Sequence, residues 1–180
     1  GSTSLRGNKD GPLESALFEE GTMLAGTPSG VLFAAKYNGT SIRKIEAGIV
    51  STLTINTPNI RPLVDVRAIN ADAKGNLYVA DKGRILKLTR STTNASIYTA
   101  AVIAGGNGND SGLWTMPAEG PGPEVWVYPD VGGIVTDSVG NVYFSNAQTI
   151  RKISFDSDGK TTRVSTLAGV GSITSTYAYD

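Results

Sequence analysis

The 180 residues carry sixteen basic and sixteen acidic side chains, so the formal net charge is zero and no long-range field draws in a phosphate backbone or an anionic lipid surface. Histidine and cysteine are both absent, which removes the commonest general base, the commonest transition-metal ligand, disulfides, thiolate metal sites and a cysteine nucleophile together. Twenty-two glycines, eight prolines and only 18% charged residues suit a turn-rich all-β chain.

In chain order, the first unit is expected over residues 5–54. It opens with the linker LRGNKDGPLESALF from Leu5 and continues as GTMLAGTPSGVLFAAKYNGTSIRKI from Gly21, with a fourth β-rich segment IVSTLT from Ile49. The second unit, residues 55–105, has the linker NTPNIRPLVDVRAI, the phrase VRAINADAKGNLYVADKGRILKL from Val66, and IYTAAVIAG from Ile97. The third, residues 106–169, has a longer glycine-rich linker, GNGNDSGLWTMPAEGPG. It then reads GGIVTDSVGNVYFSNAQTIRKI from Gly132 and RVSTLAG from Arg163, leaving 170–180 as a tail or the start of a further unit. A first residue other than Met carries the expectation of a longer parent protein. No apolar run approaches the ~20 residues of a membrane span, so no membrane insertion is expected.

Each phrase has a short apolar segment, a tight turn ending in Gly30, Gly75 or Gly140, a second segment, a second turn, and a third segment. In ADAKGN and TDSVGN, Asp72 and Asp137 sit where a short carboxylate accepts hydrogen bonds from amides two residues on, and the glycines sit where the loop needs a positive φ. In the first unit Gly26 stands in the place of the Asp and Pro28 presets the turn. LYVAD, VYFSN and VLFAA are apolar at nearly every position, as in strands covered on both faces. Four-stranded antiparallel meanders repeating at tens of residues, none able to bury its own faces, predict a β-propeller with three blades in this chain.

These residues resemble the NHL repeat: GNLYVAD followed by RILKL, GNVYFSN followed by TIRKI, and VSTLAG, with LRGNKDGPLESALF and GPGPEVWVYPDVGGIVTD similar to that family's linker. The middle linker departs from the pattern, and the first unit lacks the GN and the acidic residue after its second strand. The resemblance implies a propeller that is usually six-bladed, with the first strand of each blade lining the axis and the fourth outermost. Three blades alone would leave two apolar sheet faces in water. Two explanations compete, a segment of a longer propeller or two copies pairing as half-rings; a distorted small propeller or open array remains.

Several residues carry candidate roles. Trp114 and Met116 in the long linker make either a recognition loop or a cap folded back over an end of the propeller, the second being preferred. Trp126 falls on the aromatic linker position and reads as packing. Asp72, Asp81, Asp137 and Asp156 recur near turns, where holding turns is preferred to holding a cation. Arg43, Lys44, Lys87, Arg151 and Lys152 recur at one place in the repeat and read as the solvated face of outer strands rather than a stripe for nucleic acid. Asn38, Asn94 and Asn109 begin N-glycosylation sequons in expected turns or loops.

No catalytic residue, metal ligand or cofactor is assigned: no GxSxG elbow occurs, and a triad lacks its histidine. Some NHL relatives are lyases whose metal is held largely by histidines, and some bind RNA; the first would need a carboxylate site formed with missing blades and the second has no supporting charge, so part of a larger NHL propeller with a lyase-like or RNA-binding role is the alternative. The expectation is a non-enzymatic scaffold, extracellular or at the cell surface. Its partners are expected to be protein, either copies of itself or flanking blades, with nucleic acid disfavoured.

Overall fold

A computed structural model describes residues 5–106, 117–160 and 162–169, which form fifteen strands in three sheets and one short 3-10 turn at Gly122–Glu124. The first blade holds β1 (Gly11–Pro12), β2 (Thr22–Gly26), β3 (Leu32–Lys36), β4 (Ile42–Glu46) and β5 (Ile49–Thr52). The second holds β6 (Thr54–Asn56), β7 (Val66–Ala71), β8 (Leu77–Asp81), β9 (Ile85–Arg90) and β10 (Ile97–Ala104). The third holds β11 (Gly120–Pro121), β12 (Ile134–Thr136), β13 (Val142–Asn146), β14 (Thr149–Phe155) and β15 (Thr162–Ala168). The chain is all-β and of β-propeller type.

Each sheet is a four-stranded antiparallel meander extended to five by a short strand from the preceding linker, in the order β1-β5-β4-β3-β2 and its equivalents. The expected four-stranded unit is corrected in this respect. The physical reason is the free edge of the fourth strand, whose unpaired amides and carbonyls the linker satisfies. In the outer blades the added strand is a Gly-Pro pair running antiparallel, Gly11↔Val50 and Gly120↔Val164. The atypical middle linker instead sends β6 parallel to β10, with Thr54 opposite Ile97.

The first hairpins show why the turn residues are what they are. Asp72 Oδ1 accepts from the amides of Lys74 and Asn76 at 2.9 Å each, and its Oδ2 from Asn76 Nδ2 at 2.8 Å. Asp137 repeats the pattern with Val139 N at 3.1 Å, Asn141 N at 2.8 Å and Asn141 Nδ2 at 2.7 Å. Gly75 and Gly140 close these turns at φ 79° and 93°, which a side chain adopts only with strain. In blade 1 the equivalent residue is Thr27 and not Gly26. The Thr27 hydroxyl accepts from Val31 N at 3.2 Å, and the Thr27 carbonyl accepts from Gly30 N.

The innermost strands β2, β7 and β12 lie side by side. One core joins Phe33, Ala35 and Ile42 of blade 1 to Ile69, Leu77 and Leu88 of blade 2. A second joins Ala80, Ile85 and Ile103 of blade 2 to Ile134, Val142 and Ile153 of blade 3. Arg67 ties the three blades together: it donates to Asp65 of its own blade at 2.8 Å, to the Tyr37 hydroxyl of blade 1 at 2.6 Å, and to Asp130 ahead of blade 3 at 2.5 Å.

Candidate functional site

The linkers are anchored by arginines in or just ahead of the third strands. Arg43 donates to the carbonyls of Lys9 and Leu17 and, through Nε, to Asp10 at 3.0 Å, with Phe18 stacked 4.5 Å from its guanidinium. Arg84 donates to the carbonyls of Arg61 and Pro62 and to Asp81 at 2.7 and 3.0 Å. Arg151 donates to the carbonyl of Trp126, while its Nε and Nη2 have no hydrogen-bond partner among the described residues. Burial lowers the Arg151 guanidinium to about 10, partly opposed by nearby Glu119. The expectation that Arg43, Lys44 and Arg151 sit on a solvated face is therefore corrected: all three are buried, and only Lys87 and Lys152 are half-exposed. At Arg43 and Arg151 the linker folds over the strand and supplies carbonyls to guanidinium groups that water would otherwise solvate, whereas Lys44 donates to Glu46 at 2.8 Å and to the Ala95 carbonyl of the second blade at 3.3 Å.

The recurrent aspartates are committed in the same way. Asp81 is fully buried and accepts from Arg84 and from the amides of Val64 and Asp65 at 3.0 and 2.7 Å. Asp10 accepts from Thr52 N at 2.8 Å; burial would raise its carboxyl, but the Thr52 amide and hydroxyl together with Arg43 hold it below the ordinary range. Asp137 is also held low, chiefly by the Asn141 side chain, against a smaller effect of burial. Gly159 N closes a turn onto the Asp156 carbonyl at 2.8 Å. A groove of about 630 Å3 runs beside the Asp72 and Asp137 hairpins, lined by Lys74, Tyr78, Lys87 and Phe155 among others. Its two hairpin carboxylates are occupied by the turns that they hold. Among the described residues no group of three or more acidic side chains is placed to hold a metal ion.

Of the other residues singled out from the sequence, Trp126 is buried and meets Tyr128 edge-on at 5.5 Å. Asn38 and Asn94 are exposed. Trp114, Met116 and Asn109 lie outside the described residues.

The ends of the blade row form the distinctive surface. Strand register makes Leu24 of blade 1 equivalent to Ile69 and Ile134, since each faces the second-strand partner at the same step: Ala34, Val79 and Phe144. Ile69 and Ile134 are 7% and 5% exposed beneath the neighbouring blade, whereas Leu24 is 63% exposed. Leu32 is 42% exposed where its equivalents Leu77 and Val142 are fully covered. At the other end, Leu167 and Ile103 are the same bulged residue of the fourth strand, each lying between two paired neighbours. Ile103 is 3% exposed under the linker of blade 3, but Leu167 is 60% exposed, with Ile150 exposed on the adjoining strand and Val135 exposed farther in, on β12. The turn that covers Ile103 contains buried Gly122, and its counterpart in blade 1, at Leu13, is exposed. Each end of the chain thus presents one half of the junction that is complete twice inside it.

The fold and these ends define a three-blade run of a β-propeller. No protein-family model matches the sequence, and no curated protein does. Among solved structures, the auxiliary nutrient binding protein of Bacteroides ovatus ATCC 8483 is similar at TM-score 0.59 and 16% identity, over 86% of this chain and 38% of that one. The auxiliary nutrient binding protein of Bacteroides thetaiotaomicron VPI-5482 is similar at TM-score 0.54 and 17% identity, over 81% of this chain and 35% of that one. At such identities the likeness is one of fold. The chain spans between 35% and 38% of the length of these two structures.

Proposed function

We propose that the protein is a non-enzymatic propeller scaffold that binds protein through the two end faces of its blade row. The observation carrying this reading is the pair of incomplete junctions: Leu24 and Leu32 at one end, and Ile150 and Leu167 at the other, sit in water where their internal equivalents Ile69, Leu77, Ile85 and Ile103 are covered. Apolar side chains gathered on sheet faces mark interaction sites rather than ordinary surface. Binding here is shape complementarity and apolar burial, not chemistry. In support, the chain has no histidine or cysteine, and Asp10, Asp72, Asp81 and Asp137 are spent on turns and arginines. Within propellers, the GN-containing turns and the linker motifs favour NHL-like repeats. Exposed sequons at Asn38 and Asn94 support an extracellular or cell-surface setting, and no helix among the described residues is long and apolar enough to cross a membrane.

Hydroxyl-radical footprinting over a range of protein concentrations tests the reading. Leu24, Leu32, Ile150 and Leu167 should lose reactivity as the protein is concentrated. Val139, 82% exposed in the tight turn between β12 and β13, should not. End residues as unreactive as the covered Ile69 and Ile103 in a monomeric chain would refute it, whereas end residues that stay reactive at every concentration would refute only pairing between copies.

A further inference from the structure

Building on the end-face reading, we infer that the occupant of each end is a second copy of this chain, docked head to tail so that two three-blade runs close a single ring. Each end face continues a junction already present inside the chain. Between blades 1 and 2, and again between blades 2 and 3, one sheet face of a blade packs on the opposite face of the next, always with the same register positions in contact. The free face of blade 3 is the face that blades 1 and 2 offer to their successors. The free face of blade 1 is the one that blades 2 and 3 offer to their predecessors. A copy's blade 3 therefore fits its partner's blade 1, and not its partner's blade 3.

The linker sharpens the match. Gly122, in the linker of blade 3, lies on the end of β10, where it accepts from Gly105 N at 3.0 Å, while the Thr162 hydroxyl donates to the Ile103 carbonyl at 2.8 Å. The end of β15 repeats this strand end, with exposed Leu167, Ala168 and Gly169 in place of buried Ile103, Ala104 and Gly105. Blade 1 carries the corresponding linker turn, Gly11 to Ala16, with Leu13 exposed at its tip. In the ring, that turn of one copy covers Leu167–Gly169 of the other. Two such contacts, related by a twofold along the propeller axis, close the assembly and leave no apolar end. Three blades are too few to close and six lie within the ordinary range of four to eight.

The test uses the intact chain and two charged variants at exposed positions, Leu24→Glu and Leu167→Glu, each of which damages one half of the junction. Sedimentation velocity should find the wild type dimeric. Either variant alone should dissociate at least tenfold more readily, because both junctions of its dimer then carry one damaged half. An equimolar mixture of the two should recover dimer, since a mixed pair keeps one junction with wild-type residues on both sides. Pairing of like faces gives a different pattern: one variant dimerises as the wild type does and mixing restores nothing, which overturns the head-to-tail ring but leaves the end-face reading standing. A ladder of species beyond the dimer overturns closure. A wild type that is monomeric at every concentration, whether its ends are bare or covered by residues 170–180, overturns the inference altogether.

Discussion

Replacing Asp81 by Asn removes one charge from a pair that water does not reach. Both Asp81 and Arg84 are fully buried, and the carboxylate accepts four hydrogen bonds: from Arg84 Nε at 3.0 Å and Nη2 at 2.7 Å, and from the amides of Val64 and Asp65 at 3.0 and 2.7 Å. An Asn carbonyl can keep the two amides, but its NH2 then faces guanidinium donors, and the buried Arg84 charge has no counter-ion at contact distance. Breaking a buried pair from one side costs about 3–5 kcal/mol, a large part of the roughly 5–15 kcal/mol that holds a domain together. At about 2–4 °C per kcal/mol for a chain of this size, the melting temperature should fall by roughly 6–20 °C. Urea unfolding with an unchanged slope should report the same loss. Blade 3 supplies the control: its equivalent pair is neutral, Asn146 and Thr149, with the Thr149 hydroxyl bonded to the Asn146 carbonyl at 2.9 Å. The double variant Asp81→Asn, Arg84→Thr copies that pair and should recover part of the loss, keeping the deficit from the unfilled carbonyls of Arg61 and Pro62. A loss under about 1 kcal/mol for Asp81→Asn would refute the argument that the unpaired charge dominates.

Other expectations follow from the same geometry. Arg43→Met should destabilise more than Arg151→Met in matched urea titrations, because Arg43 loses Asp10, two carbonyls and Phe18 whereas Arg151 loses the Trp126 carbonyl and sheds two buried N–H groups without partners among the described residues; the reverse order contradicts the linker account. Gly122→Ala should destabilise more than Gly75→Ala. A Cβ at Gly122 falls 2.1 Å from both the Ile103 carbonyl and Thr162 Oγ1, while at Gly75 it meets only the Arg90 side chain at 3.6 Å and costs about 1 kcal/mol through its positive φ; equal melting temperatures would count against the blade 2 to blade 3 packing. Acid stability should depend on Asp10 and Asp137, whose folded carboxyls lie below their ordinary value near 3.8. The unfolded chain then binds more protons between the two values, so this contribution is complete above that ordinary value and is lost as pH falls through the folded ones. Asp10→Asn should flatten the acid limb of the stability profile, and an unchanged limb would contradict it.

Much of the repeat is visible in the sequence because its turns carry chemistry at fixed spacing. The Asp-x-x-Gly-Asn runs at Asp72 and Asp137 name the hairpin, the carboxylate and the positive-φ residue together. The added fifth strand is not visible, because two residues of Gly-Pro have no periodicity to read, and their pairing is dictated by the edge of a strand dozens of positions away. The buried arginines mislead for a related reason: Arg43 and Arg151 sit beside lysines in IRKI, which locally reads as a wet strand, and only the linker folding back with its carbonyls reveals the opposite. The open ends are half legible. Counting three units foretells two free faces, but which side chains stand on them depends on strand register. Leu24 and Leu167 look in sequence like any other apolar strand residue, as buried as Ile134 and Ile103.

The most direct test of the account is the solution mass of the chain by light scattering across a wide concentration range. End faces that complete one another predict a stable species at twice the 18.7 kDa of the single chain. A well-folded 18.7 kDa monomer that persists to the highest concentration would contradict it.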